Sequence, residues 1–475
     1  MATKPVSRKT LLGRARDFID DFAAATPARF AIIIFAGLVA AVTVLLGLPI
    51  SNRTSDFTPF VDAFFTAVSV ICVTGLSTVD MATYWSPFGH AVIFIGVQIG
   101  AVGVLTLASI LGLVITRRLG LRAKLMAVGD SNPLRIGRGA AVAEGQAVRL
   151  GEIGGLLVTV AVSMIVIELI IALLFFPRVL SESGDLLEAI WVSSYFSVMS
   201  FTNTGFVLSP GGLDPFATDP WFLSVMMLSV FLGAIGFPVI YAVTRNFRKP
   251  KRWSLHVKLT LVTTLILFVL GAFAFLGLEY SNPKTFGSMD AGQTALQAAF
   301  LSMMTRSGGF STIDIADLNG ASLLVADMLM FVGGGSASTA GGIKVTTLAI
   351  LFLAAFAEAR GSESMESFDR RIPSDVLRIA VSIVLWGATT VATATIIIQQ
   401  ITDAPLDLVL FDVISAFATC GLTTGLTEDA PDSAQYVLAA TMFMGRVGTV
   451  TLAAALAAST RRQLFRRAEE RPIVG

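Results

Sequence analysis

Charge is scarce in this sequence: Asp, Glu, Lys and Arg make up 14% of its 475 residues, where soluble globular chains carry roughly a quarter. With 54% hydrophobic residues, so little charge excludes a soluble protein of this length and implies a polytopic membrane protein. A formal net charge of +1 excludes an extended basic surface, so no nucleic-acid partner is expected. Two cysteines, Cys72 and Cys420, are too few for a disulfide scaffold and say nothing of redox compartment. The lone histidines, His90 and His256, supply no zinc spacing and no HExxH pair, and there is no Walker sequence or strand-borne glycine fingerprint. These absences leave an enzyme little to work with and give no organic cofactor a site.

What the chain has is long apolar runs. Stretches of about 20 residues or more, enough to cross a bilayer, run at about 30–50, 86–116, 154–177, 221–244, 258–278, 322–357, 375–399 and 433–459. Four shorter apolar segments, near 59–71, 187–201, 291–304 and 406–418, fall between successive pairs and read as re-entrant pore helices. The expected fold is an all-α integral membrane protein. Four repeats of span, pore helix and span give eight transmembrane helices and four re-entrant helices around a pseudo-fourfold pore. The expected division is a cytoplasmic segment 1–29, repeat 1 at 30–116, a loop 117–153, repeat 2 at 154–244, a loop 245–257, repeat 3 at 258–357, a loop 358–374, repeat 4 at 375–459 and a tail 460–475.

Of the 34 Lys and Arg, 28 fall in the N-terminal stretch, in 117–149, 245–258 and 360–378, and in the tail. By the positive-inside rule these segments and both termini are cytoplasmic. The apolar run Phe30 to Leu48 exceeds the roughly 7–15 residues of a signal-peptide core, so it reads as a retained first span.

Each pore helix ends alike: Cys72-Val73-Thr74-Gly75, Thr202-Asn203-Thr204-Gly205, Arg306-Ser307-Gly308-Gly309 and Ala418-Thr419-Cys420-Gly421. An aromatic stands nine or ten residues before each final glycine, at Phe65, Tyr195, Phe300 and Phe411. For backbone carbonyls to face a central axis, the chain must adopt conformations that a side chain penalises and glycine does not. Non-helical backbone at membrane depth is tolerated only where it is buried in protein or lines a watery cavity. Four such glycines in register point to a pore in which carbonyls replace the water around a cation.

These loops, with Gly333-Gly334-Gly335-Ser336-Ala337-Ser338-Thr339-Ala340-Gly341-Gly342-Ile343-Lys344 and Gly445-Arg446-Val447-Gly448, resemble the Trk/Ktr/HKT superfamily of potassium transporters over essentially the whole chain. Within it, a single span before the first pore helix fits the Ktr-type membrane subunits, since Trk-type subunits usually carry an extra pair. The resemblance implies K+ held at the backbone carbonyls of the four loops. Members with serine for the first glycine tend to favour sodium, and glycine at all four positions implies potassium. The loops depart from the Thr-Val-Gly-Tyr-Gly of tetrameric channels, which implies fewer carbonyl sites and weaker discrimination.

The resemblance also makes residues 333–342 an intramembrane gate beneath the filter, with Arg446 beside it and Lys344 at its end. It implies a homodimer in the bacterial plasma membrane. A cytosolic ring of KtrA-type nucleotide-binding subunits would dock on the basic face, and Na+ is a candidate activator. Basic segments that only fix topology and attract anionic lipid are the plainer reading.

Competing readings remain at several residues. Close packing of small residues is the alternative for 333–342, and snorkelling to water is the alternative for Arg446. Lys344 is either a gating contact or an interfacial cation. Arg306 would repel K+ if it faced the path, so it is expected to brace the loop through a carboxylate or loop carbonyls. Asn203 is either a loop-orienting side chain or a plain turn residue. Asp56, Asp80, Asp314, Asp317, Glu428 and Asp429 either concentrate cations at the outer mouth or form a solvated rim. Cys72 and Cys420 read as small side chains packed behind the loops. A coupled secondary transporter built from repeats is the alternative function.

Overall fold

The structure, a computed structural model, describes residues 27–103, 150–209, 211–362, 364–449 and 451–452. Repeat 1 has α1 (Pro27–Leu46), α2 (Phe60–Cys72) and α3 (Pro87–Gly103). In repeat 2 the helices are α4 (Leu150–Ser183), α5 (Leu186–Phe201), α6 (Pro220–Ile235) and α7 (Phe237–Arg245). Repeat 3 contains α8 (Leu255–Glu279), α9 (Ala291–Met304), α10 (Gly320–Val332) and α11 (Val345–Ala359). A hairpin of β1 (Met365–Ser367) and β2 (Arg370–Ile372) follows, antiparallel with Glu366 opposite Arg371. Its turn residues Phe368 and Asp369 both have positive φ, as a tight hairpin turn requires. Repeat 4 consists of α12 (Ser374–Ile401), α13 (Leu406–Ala418), the short α14 (Leu426–Asp429) and α15 (Asp432–Phe443), which runs into a π-helical turn at Met444–Gly448.

The short helices α2, α5, α9 and α13 form the centre. Their C-terminal halves are mostly buried, and the four aromatics Phe65, Tyr195, Phe300 and Phe411 are at most 1% exposed. Long apolar helices surround them. Val162, Leu169 and Leu173 on α4, Leu265, Leu270 and Phe273 on α8, and Leu385 and Ile396 on α12 are exposed; on a helix in a bilayer, such a face meets lipid. The starts of the central helices use two chemistries. Asp185 and Asp290 cap α5 and α9 by accepting from the Leu187 and Gly292 N–H groups, while Pro59 and Pro405 precede α2 and α13.

Among the described residues, Val158–Ser183, Leu255–Glu279 and Ser374–Ile401 are individually long and apolar enough to cross a membrane, and a fourth span arises if α6 and α7 are joined. These three are the first helices of repeats 2, 3 and 4. The second helices of repeats 2 and 3 are interrupted. The stretch 221–244, expected as one span, bends by 100° between α6 and α7 at Gly236, whose φ is +86°. Pro238 two residues on lacks an N–H and suits the first turn of a new helix, which fixes the break there. Expected span 322–357 breaks between α10 and α11, over the glycine-rich segment. The second half of the 86–116 stretch, and much of the termini and the 117–153 loop, lie outside the described residues.

Candidate functional site

The four glycine loops converge. Gly75, Gly205, Gly309 and Gly421 have φ of +95°, +89°, +75° and +97°. The residue two before each, Val73 (+57°), Asn203 (+60°), Ser307 (+84°) and Thr419 (+46°), is also left-handed, whereas Thr74, Thr204, Gly308 and Cys420 between them are not. Backbone that alternates hand in this way turns successive carbonyls to the same side. Such conformations at valine and threonine persist only where the surroundings over-determine them.

Each glycine also faces the others. A Cβ on Gly75 would lie 1.7 Å from the Thr204 carbonyl oxygen, one on Gly421 would lie 2.4 Å from that of Thr74, and one on Gly309 would lie 2.4 Å from that of Cys420. On Gly205 it would meet the Gly309 backbone at 2.8 Å. Any side chain at these positions would enter the space where the carbonyls of the residues preceding the glycines gather.

Each loop is anchored to its own helix. Thr74, Thr204 and Cys420 donate their N–H groups to Ser69 O (2.8 Å), Met199 O (2.9 Å) and Ser415 O (2.9 Å), and Gly308 donates to Met304 O (2.7 Å). In loops 1 and 4 a hydroxyl adds a second tie, with Gly75 N donating to Ser69 Oγ (3.0 Å) and Gly421 N to Ser415 Oγ (3.2 Å). With its amide turned so that the nitrogen faces the surrounding carbonyls, the orientation those acceptors require, Asn203 donates to Ser200 O (3.1 Å) and Val230 O (3.2 Å), which ties the second loop to α6. Cys72 and Cys420 are fully buried, and the Cys420 thiol packs on Met304 O at 3.4 Å.

Above the loops, the chain that leaves the first, third and fourth is held by the helix that leads into it. Thr78 donates to Asp62 (2.6 Å), Thr312 donates to Gln297, and Asp412 accepts from Thr423, Thr424 and Thr427. Of the six acidic residues at the mouth, Asp80 accepts from the Ala82 N–H, Asp314 from the Ala316 N–H, and Asp317 pairs with Lys284 at 2.7 Å. Burial, then the charges of Asp80, Asp429 and Asp412, holds the Glu428 carboxyl above its ordinary range.

Below the loops, second-helix glycines sit against the ends of the central helices. A Cβ on Gly100, Gly233 or Gly445 would lie 2.4, 2.0 or 1.8 Å from Ile71 O, Phe201 O or Phe417 O, each the carbonyl four residues before a loop glycine. At the corresponding place in repeat 3 stands Gly333, where α10 ends.

Residues 333–342 pass directly beneath. Thr339 Oγ1 donates to Phe201 O (3.1 Å), and Gly341 N donates to Ser307 Oγ (3.2 Å). A Cβ on Gly341 would lie 2.0 Å from Thr419 Oγ1. Gly335 N donates to Ala234 O (2.7 Å), a Cβ on Gly334 would meet Ala340 at 2.4 Å, Ser338 Oγ donates to Gly335 O, and Ser336 pairs with Thr346. Gly333 and Gly342 have φ of +55° and +67°. Lys344 Nζ caps the segment's own carbonyls, those of Ala340 (2.6 Å) and Gly341 (3.4 Å). Arg446 is 3% exposed and donates to Thr419 Oγ1 at 3.4 Å, with Nε and one terminal nitrogen unpartnered among the described residues. It therefore lies beneath the fourth loop, away from water. Arg306 turns away from the loops to Thr264 O (2.8 Å) and Gly333 O (3.3 Å). One acceptor is a helix carbonyl of α8 and the other opens the 333–342 segment, and among the described residues no carboxylate pairs with it.

Ser69, Ser415, Asp62, Gln297, Asp412 and Gly233 were not picked out from sequence. A usable signal existed for the last: glycine recurs 24–28 residues after each loop glycine.

Four buried half-length helices that end on convergent glycine loops, inside a ring of lipid-facing helices, define a repeat-built membrane transport protein. The chain belongs to the TrkH family of cation transport proteins, whose family model matches residues 20–462. It is an ion transporter, not an enzyme. It is 32% identical to the Ktr system potassium uptake protein B of Bacillus subtilis, over 86% of this chain and 88% of that one. The Vibrio alginolyticus protein of the same name is also 32% identical, over 90% and 91%. A potassium/sodium uptake protein, NtpJ, of Enterococcus hirae is 29% identical over 89% and 90%. The crystal structure of the potassium transporter TrkH from Vibrio parahaemolyticus shares the fold, with a TM-score of 0.67 at 17% identity over 90% of this chain and 83% of that one.

Proposed function

We propose that this chain is the potassium-translocating membrane subunit of a Ktr-type uptake system. The carrying observation is the convergence of four loops with one alternating backbone pattern on a common centre. Carbonyls of Thr74, Thr204, Gly308 and Cys420 replace the hydration shell of K+ there, which a ring of fixed dipoles does at small reorganisation cost. The relatives named for potassium uptake support the ion, and the potassium/sodium name of NtpJ makes sodium the competing cation to test, as substrate or activator.

The 333–342 segment lies across the path below the loops and serves as the gate. Arg446, with no carboxylate bonded to it among the described residues, adds an electrostatic barrier when the gate is shut. The protein works as a homodimer with both termini in the cytoplasm. A soluble ring of nucleotide-binding subunits acts on its basic face, as the word "system" in the relatives' names supports.

The test is potassium uptake in cells that lack their own high-affinity systems, comparing native protein, Gly75→Ser and a deletion of residues 336–341. The expected result is uptake by the native chain, weakened sodium exclusion with serine and raised, unregulated flux with the deletion. Correctly inserted native protein that moves no potassium would refute the reading.

A further inference from the structure

The third glycine loop differs from the others in what lies below it. In repeats 1, 2 and 4 a second-helix glycine packs bare backbone against the end of the central helix, at Gly100, Gly233 and Gly445. In repeat 3 that contact is replaced by a side chain. Arg306, 1% exposed, spans from the Thr264 carbonyl on α8 (2.8 Å) to the carbonyl of Gly333 (3.3 Å), the first residue of the glycine-rich segment. Its neighbour Ser307 reaches the other end: the Gly341 N–H donates to Ser307 Oγ at 3.2 Å, while the same hydroxyl donates to Thr419 O of the fourth loop at 3.1 Å. Two consecutive residues thus hold residues 333 and 341, which bracket the segment.

We propose that Arg306 and Ser307 are positioning residues that form a two-point clamp, by which the third loop holds the 333–342 segment shut. The inference rests on the reading of that segment as the gate. An interrupted helix has no continuous ladder of its own to fix it across the path, so its closed position depends on such outside bonds. The guanidinium spreads its donors over a rigid plane, so its two terminal nitrogens reach carbonyls on two different elements at once, a span wider than the single nitrogen of an ammonium offers. The hydroxyl of Ser307 both accepts from the segment and donates to the fourth loop, which lets one atom register the position of both.

Ser307→Gly is the cleanest probe. Ser307 has a φ of +84°, which glycine adopts without strain, so the change removes the hydroxyl while leaving the backbone at ease. Flux through purified protein in vesicles, without any regulatory subunit, is expected to rise roughly 3- to 10-fold, the population shift that one buried hydrogen bond commands. Arg306→Lys is expected to raise it in the same direction. The deciding measurement repeats Ser307→Gly in the 336–341 deletion. A clamp acts only through the segment, so no further rise is expected there. An equal rise in both backgrounds would show that the serine acts on the fourth loop alone and would overturn the clamp while leaving the gate standing. A deletion that itself leaves flux unchanged would bring down the gate reading, and the clamp with it.

Discussion

The glycine loops and the 333–342 segment are both non-helical backbone at membrane depth, both rich in glycine, and held in opposite ways. Each loop is tied to its own preceding helix within six residues of sequence, by backbone bonds such as Thr74 to Ser69 and Cys420 to Ser415. The segment below takes its bonds largely from elsewhere: Ala234, Phe201 and Ser307 belong to other elements. A loop anchored mainly to its own helix holds its carbonyls in place when other elements shift, as the proposed ion selection requires. A segment anchored to other elements can be released when they shift, as gating requires. Glycine serves a different purpose in each. In the loops it makes room for carbonyls at a shared centre, and in the segment it lets backbone slide beneath Thr419 and Ala418.

The comparison is tested most sharply by placing one methyl in each region. In Gly421→Ala, the new Cβ meets Thr74 O at 2.4 Å at a φ of +97°, a conformation that alone costs on the order of 1–3 kcal/mol for a non-glycine residue. Potassium uptake and selectivity over sodium are both expected to collapse. In Gly342→Ala the nearest atoms are carbonyl oxygens at 3.2 Å. There the rate of flux is expected to change with the potassium-to-sodium ratio kept, in vesicle flux assays with both ions. A loss of selectivity with Gly342→Ala would erase the distinction between the regions.

A smaller effect is expected from Ser69→Ala and Ser415→Ala, each of which removes one hydroxyl tie to a loop glycine. Losing such a bond is worth about 1 kcal/mol, so each change should lower the potassium-to-sodium ratio about fivefold without altering regulation. Competition uptake at fixed potassium reads this directly.

The smallest effect belongs to the mouth. Glu428 has its carboxyl held above the ordinary range by burial and by the acids around it. As pH falls it therefore takes up a proton before an ordinary glutamate would, and the mouth loses negative charge. Uptake at low potassium should decline on that side of neutrality, and Glu428→Gln should flatten the decline. An unchanged pH profile in the variant would assign these acids to a solvated rim.

The order of helices and the positions of the loops were legible because each reflects a local demand that sequence records directly: an apolar run long or short, a buried aromatic, a glycine where φ must be positive. Phe65, Tyr195, Phe300 and Phe411 mark one turn of one kind of helix, so they repeat. The ties of Ser69 and Ser415 left no such mark, because a serine in an apolar helix six residues before a glycine looks like any other. The partner of Arg306 depends on where α10 ends, and that is a tertiary fact. The break at Gly236 did leave a signal in Gly236-Phe237-Pro238, but the surrounding hydropathy is continuous across it and reads as one span.

The most direct test of the central claim is to locate the ion. Crystals or frozen particles of transport-active protein prepared in rubidium or thallium, which stand in for potassium, are expected to show density within the ring formed by Gly75, Gly205, Gly309 and Gly421, at coordination distance from the carbonyls that precede them. Ion density confined to a site among the long helices, with the four loops empty, would contradict selection at the loops and favour a coupled transporter.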